Sequence, residues 1–292
     1  MPCIAYKATK FRPDTLAIIE MAVEIVDEYQ SQGFNLTLRQ VFYQFVSRDL
    51  IPNTERSYKR LGSIINDARL AGLLDWQSIE DRTRDPKSTT HWNSPAEIVE
   101  ASVRSYKIDK WENQRHHVEV WVEKDALIDV VKRACKPLDV TRFSCRGYVS
   151  QSAMWRAGRR LTEKESDGHD TVILHLGDHD PSGIDMTRDI KDRLAMFGSS
   201  VLVRRIALTM DQIDELGPPP NPAKLSDSRA RDYIAQYGDE SWELDALEPA
   251  YMVDLITDHV LALRDEDDWD EAVEREDLER GKLKDAARTL RL

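Results

Sequence analysis

Three carboxylates stand where a strand-and-helix sheet would gather them. Glu123 follows the β-branched run VEVWV (118–122), while Asp178 and Asp180 follow TVILHLG (171–177) and lead into the turn residues Pro181, Ser182 and Gly183. Two aspartates one residue apart at a strand end, joined by a glutamate from a neighbouring strand, offer the hard oxygen ligands that octahedral Mg²⁺ requires, with Mn²⁺ as an alternative. An ion held there neutralises charge on a phosphodiester and stabilises the leaving oxygen. The expected chemistry is phosphodiester cleavage, with Glu123, Asp178 and Asp180 as metal ligands. Of the neighbours, His179 should turn away from the aspartates by alternation along an extended turn. Asp185 is expected to cap the next helix, Lys124 either to approach phosphate or to lie exposed, and His116 and His117 to face opposite sides of their strand.

The elements that must position these groups alternate. VEVWV is followed by a helical ALIDVVKRAC, TRFSC by a helical SQSAMWRAGRRLTEK, and TVILHLG by a helical IDMTRDIKDRLAMFG. Strands alternating with helices imply an α/β fold with a mostly parallel, Rossmann-like sheet, whose functional groups sit at the carboxyl ends of the strands. No internal repeat, P-loop or low-complexity tract interrupts it.

The first part of the chain reads differently. Residues 13–32 form a helix with proline near its start and an apolar stripe of Leu16, Ile19, Val23 and Val26. Thr37 can cap a second helix, striped by Leu38, Val41, Phe42, Phe45 and Val46. A third, over about 55–71, buries Tyr58, Leu61, Ile65 and Ala68 and turns Arg56, Lys59, Arg60, Ser63 and Asn66 outward. Three short helices with basic and amide groups on the third suggest a helix-turn-helix or winged-helix unit that could lie in a groove of double-stranded DNA. The turn-rich segment RTRDPKSTTHWN (82–93) is expected to form a wing or linker. The division is then 1–112 for this unit and 113–292 for the α/β unit with an acidic helical extension.

Charge distribution tempers the net −12 of the 292 residues. Residues 1–110 balance 15 basic against 15 acidic side chains, whereas residues 201–292 carry 12 against 23, so the deficit lies away from the trihelical unit. A basic strip runs through Arg142, Arg146, Arg156, Arg159 and Arg160, of which Arg159 and Arg160 could bind backbone phosphates. No apolar run approaches the roughly 18 residues of a membrane span and the N-terminus lacks a signal-peptide core, so a cytoplasmic protein with no membrane contact is expected. Cys3, Cys135 and Cys145 lack zinc or disulfide spacing and are expected to be reduced.

The strings WVEKDAL, CRGYVSQSAMWRAGRRL and LGDHDPSGIDM, in that order, resemble the Toprim domain of the topoisomerase VI A subunit and its meiotic double-strand-break relatives. The match falls on Glu123, Lys124, Gly147, Tyr148, Asp178, Asp180, Pro181, Gly183 and Ile184, and WELDAL (242–247) is similar to the family's E-x-x-A-L stretch, with Glu243 in the glutamate position. In the first unit TLRQVFY is similar to T-x-R-x-x-Y-Y, with Phe42 where the family usually shows its first tyrosine. The resemblance implies a winged-helix domain followed by a Toprim domain, and makes Tyr43 the nucleophile of a Mg²⁺-dependent transesterification, supported by Arg39 and Glu123. On a helix, Tyr43 falls about 130° from the centre of the apolar stripe, with Arg39 one turn earlier, where a guanidinium could favour the phenolate and contact a phosphate. The family also implies a homodimer cutting both strands; no ATPase segment is read in this chain, so the expectation is either a separate ATPase (B-type) subunit or an orphan A-like protein. Two other readings use the same residues: a hydrolytic nuclease of the Toprim kind with no covalent role for Tyr43, and a DNA-binding subunit without turnover.

Overall fold

In the computed structural model, residues 3–80, 89 and 91–289 are described. Helix α1 (Pro13–Ser31) starts on a proline that needs no N–H partner, and buries Ile19, Ala22, Ile25, Val26 and Tyr29. The expected stripe is therefore rotated: Leu16 is exposed and Val23 only half-buried. Tyr29, at the end of the buried face, hydrogen-bonds Glu248. Strand β1 (Leu36–Thr37) leads into α2 (Leu38–Ser47), where Thr37 and Gln40 form a reciprocal capping box. Thr54 caps α3 (Glu55–Leu70), and β2 (Ile79–Glu80) pairs in parallel with β1. Of the expected wing, residues 82–88 and 90 lie outside the described residues.

Helix α4 (Pro95–Ser105) precedes the main sheet, whose strands are β3 (His116–Val122), β4 (Thr141–Ser144), β5 (Asp170–Leu176) and β6 (Leu202–Ala207), in the order β4-β3-β5-β6 and all parallel. Three of them coincide with the runs read from sequence; β6, LVRRIA with arginines in its middle, adds a fourth. The connecting helices are α5 (Ile128–Cys135), entered through a 3-10 turn at Asp125–Leu127, α6 (Gln151–Ser166) and α7 (Pro181–Met196). Alternation sends Val118, Val120 and Val122 to one face, into a core with Val130 and Val131 of α5, and Trp121 to the other, with Met154 and Leu161 of α6 and Ile190 and Leu194 of α7. This makes a mixed α/β protein with helices on both faces of a parallel sheet.

Beyond the sheet come α8 (Met210–Leu216), a short hairpin of β7 (Asn221–Pro222) and β8 (Glu240–Ser241) flanking α9 (Ala230–Tyr237), a 3-10 turn at Leu244–Ala246, α10 (Pro249–Leu261) and α11 (Glu266–Thr289). Met252, Ile256 and Val260 of α10 complete the core over α5. Residues 106–114 pack on the C-terminal helix: Tyr106 bonds Glu279, and Glu276 accepts from the Ile108 amide (3.1 Å) and from Lys110 (2.6 Å). The expected boundary between 112 and 113 falls inside this segment, whose contacts run to the last helix. No helix among the described residues is long and apolar enough to cross a membrane.

Candidate active site

The carboxyl ends of β3 and β5 lie side by side, Val122 in register with Leu176, so the residues just beyond them meet. Glu123 Oε2 accepts the Asp178 amide at 2.9 Å, and Asp178 Oδ1 accepts the amide of Leu244 at 2.8 Å. Asp180 is the N-cap of α7: its Oδ1 accepts from the Gly183 amide (2.6 Å) and the Ser182 hydroxyl (2.9 Å). The cap expected of Asp185 therefore falls to Asp180. Asp185 sits within α7 and binds Tyr148 (2.6 Å), Arg188 and Arg229 instead. His179 turns away from the cleft, its Nδ1 2.8 Å from the Tyr233 hydroxyl and its ring edge-on to Tyr237 and Trp242.

Beneath this turn lies Arg205 of β6, whose guanidinium has no carboxylate partner among the described residues. It donates to the carbonyls of Gly177 (2.8 Å), Asp178 (2.6 Å), Gly183 (3.0 Å) and Leu208 (3.2 Å) and to Thr187 Oγ1 (3.1 Å). Gly183 is required by close approach: a Cβ there would stand 2.2 Å from the Asp178 carbonyl oxygen and 3.1 Å from Glu123 Oε2. Gly183→Ala must push α7 away from the turn, and overpacking of this kind costs about 2 kcal/mol. Urea unfolding of the purified variant measures that loss, and an unchanged midpoint would show that the turn yields freely.

The cleft gathers more acid than the sequence motif contains. It is lined by Glu123, Asp178, Asp180, Glu243 and Asp245, with Arg146 and Lys224 at its rim. One oxygen from each of Asp178, Glu243 and Asp245 lies within 4.8 Å of the others; this is the one such trio among the described residues. Glu123 and Asp180 share the cleft without joining that trio. Lys124, expected at a phosphate or in solvent, sits inside it, its Nζ 2.8 Å from Asp178, 2.6 Å from Glu243 and 2.7 Å from Asp245. Burial opposes its charge, yet Asp178, Asp245 and Glu243 outweigh burial and hold the ammonium above the usual lysine range.

Burial pushes the carboxyl of Glu123 well above the ordinary range, and the neighbouring Asp178 charge pushes it further. Asp178 is raised too, chiefly by burial, against the opposing pull of Lys124. Asp245 Oδ1 is enclosed without a hydrogen-bond partner. The oxygens of Asp178, Glu243 and Asp245, one of them without a hydrogen-bond partner, are hard donors close enough together to hold a metal ion, for which Lys124 is at present the competing cation.

The tyrosine helix touches this cleft within the same chain. Residues Gln40 to Phe45 of α2 are all buried, which no single stripe can produce. The inner side packs in the three-helix core, and the outer side meets the turn at Leu244–Ala246 and the β7 residue Asn221. Tyr43, placed outward by helix geometry alone, is thus 2% exposed, and its hydroxyl accepts from Asn221 at 3.2 Å. Burial and the Glu243 charge raise its phenol, and Asn221, Arg39 and Lys124 only partly oppose them. Arg39 lies against the Tyr43 and Tyr58 rings and pairs with Glu243; its charge pulls the Tyr43 phenol down, in the expected direction, but by less than burial raises it.

The proposed phosphate contacts divide. Arg56 and Arg60 on α3 and Arg159 on α6 are exposed and, among the described residues, have no hydrogen-bond or ion-pair partner. Lys59 pairs with Glu55 one turn away at 2.7 Å, a fully solvated contact. Arg160 is committed elsewhere: it grips the buried Glu119 with both arms, at 2.8 and 2.9 Å. Glu119 also accepts from the Trp121 indole (2.9 Å) and lies 3.3 Å from His117 Nε2. Arg156, a member of the basic strip read from sequence, is likewise exposed and has no partner among the described residues. Comparison with known proteins finds no matching family model, no similar curated protein and no similar solved structure, so the fold and the cleft stand on their own geometry.

Proposed function

We propose that this protein is a divalent-metal-dependent enzyme that cleaves the phosphodiester backbone of DNA. The observation that carries the reading is the acidic cleft itself, in which Glu123, Asp178, Asp180, Glu243 and Asp245 converge from separate segments at the carboxyl end of a parallel sheet. Folding alone does not call for five neighbouring carboxylates around one ammonium, because the acid that Lys124 and Arg39 leave unbalanced is repulsive until a further cation binds. Glu123, Asp178 and Asp180, with Glu243 and Asp245, would hold Mg²⁺ or Mn²⁺, which supplies charge neutralisation at the phosphodiester. Arg146 and Lys224 at the rim, and the unpaired Arg56 and Arg60 of α3, are suited to hold double-stranded DNA against the cleft. The Toprim and winged-helix identities, the homodimer and a separate ATPase subunit belong to the same proposal and rest on the motif resemblance.

Two routes to cleavage differ in the attacking oxygen. In the transesterase route the Tyr43 hydroxyl attacks phosphorus, the phenolic proton leaves, and a 5′ phosphotyrosyl link replaces the bond to the departing 3′ oxygen. That route requires Tyr43 to leave Asn221 and lose a proton that burial holds on it. The hydrolytic route asks only that water reach the cleft, and the covered, protonated phenol favours it in this conformation. Supercoiled plasmid incubated with Mg²⁺ or Mn²⁺ and quenched in denaturant separates the routes. Cleavage lost in Asp178→Ala with free ends still produced by Tyr43→Phe is the expected result. Protein-linked ends abolished by Tyr43→Phe would establish the transesterase, and nicking that survives Asp178→Ala would remove the cleft from the reaction.

A further inference from the structure

The outer face of α6 carries an unusual combination for so acidic a chain. Met154, Ala157, Gly158 and Leu161 turn inward, which leaves Ser152, Trp155, Arg156 and Arg159 on one exposed stripe at helical spacing. Trp155 is 52% exposed, and Arg156 and Arg159 have no partner among the described residues. Apart from Arg56 and Arg60 on α3, many guanidinium groups elsewhere are matched among the described residues: Arg188, Arg193, Arg264 and Arg280 to carboxylates, Arg133 and Arg205 to backbone carbonyls. Two adjacent unpaired arginines on a protein of net charge −12 mark a surface complementary to a polyanion rather than to another acidic protein.

The position of this stripe ties it to the cleft. Arg146 and Gly147 line the cleft, and α6 begins just after them, capped by Ser150. Trp155 therefore lies about 6 Å along the helix axis from its first residue, and Arg159 about 6 Å beyond that. Tyr148 is also exposed but is already engaged, its hydroxyl on Asp185 and its ring covered by Arg229. The Trp155 indole has no such cover, and no aromatic ring is packed on it among the described residues. A free aromatic face matches the π-face of a base, and in a duplex those faces are already stacked on their neighbours, so the match is to an unpaired nucleotide.

We propose that the outer face of α6 is a platform for a nucleic-acid strand leaving the acidic cleft, with an unpaired base stacked on Trp155 and adjacent phosphates held by Arg156 and Arg159. It rests on the reading of the cleft as a DNA-cleaving site and narrows the substrate to DNA carrying a single-stranded stretch beside the scissile bond. Fluorescence anisotropy in EDTA, where no cleavage intervenes, tests it with a labelled blunt duplex and the same duplex bearing a single-stranded tail. Trp155→Ala is expected to weaken binding of the tailed DNA about tenfold and of the blunt duplex less than about twofold, with Trp155→Phe falling between wild type and alanine. Arg156→Ala/Arg159→Ala should weaken both DNAs and lower the slope of log affinity against log salt by about 2. Equal loss on both DNAs in Trp155→Ala, or no loss on either, overturns the platform while leaving the cleavage reading intact. Wild-type protein that binds neither DNA, in EDTA and also with Ca²⁺ in place of Mg²⁺, overturns the cleavage reading itself.

Discussion

Lys124→Met should be among the most destabilising single changes in this protein when no divalent cation is supplied. In the wild type one ammonium serves Asp178, Glu243 and Asp245 at 2.6–2.8 Å. Its removal leaves three enclosed or half-buried acids with no shared counter-charge apart from the hold of Arg39 on Glu243. Breaking a buried pair from one side costs about 3–5 kcal/mol, because the remaining charge stays buried. Uptake of a proton by Asp178, already raised by burial, softens the loss as pH falls, so the deficit should be larger at pH 8 than at pH 6. Millimolar Mn²⁺ should restore much of it, since a ligand that binds only the folded state stabilises by about 2.7 kcal/mol at a hundred times its dissociation constant. Urea titrations of wild type and variant in EDTA and in Mn²⁺ give all four stabilities. A variant as stable as wild type in EDTA, or one that gains no more from Mn²⁺ than wild type does, would show that Lys124 is not the resident cation of the cleft.

The second large effect is expected at Glu119, on the sheet face opposite Val118 and Val120. Burial alone would raise this carboxyl, but hydrogen bonds from His117, Arg160 and Trp121 outweigh it and bring it down to about 2. A carboxyl depressed from about 4.5 to about 2 stabilises the fold above the unfolded value, and that contribution is lost as pH falls towards 2. The shift corresponds to about 3 kcal/mol, which the half-exposed Arg160 reduces to about 2 to 3 kcal/mol. Glu119→Gln should therefore unfold about 2 to 3 kcal/mol more easily at pH 7, with the gap to wild type narrowing at pH 3. A gap that is absent at pH 7, or constant with pH, would contradict the charge-based account.

What the residues disclosed on their own depended on how local the determining force was. Strands β3 and β5 were legible as β-branched or aliphatic runs and β4 from its place between two helical segments, and Glu123, Asp178 and Asp180 were legible because a strand end fixes their place. β6 was not, since its two arginines disguise a strand whose second arginine feeds the turn below the cleft. Asp245 was invisible for a different reason: it meets Asp178 only through the return of the chain after α9, 67 residues later in sequence. The alternation of VEVWV did contain a clue to Arg160. It puts Glu119 on the same face as Trp121, so a sheet covered on both sides had to supply that acid with a buried cation. Tyr43 marks the limit of a helical wheel, which ranks faces within one helix but cannot know that a second unit will cover the polar one.

The clasp between residues 106–114 and the C-terminal helices bears on the order in which the chain can fold during synthesis. Trp111 lies in the main core edge-on to Trp269, with ring centroids 6.3 Å apart, and Gln114 exchanges hydrogen bonds with Asp265 at 2.7 and 2.9 Å. At about 5–20 residues per second on the ribosome, those partners emerge roughly 8 to 30 s after Trp111 does. Until then Trp111 has only the Leu138 carbonyl for its indole N–H, and α5 lacks the cover of α10. The nascent parallel sheet therefore passes through an interval with one apolar face open, and this chain should depend on chaperone occupancy during synthesis more than its finished, highly charged surface would suggest.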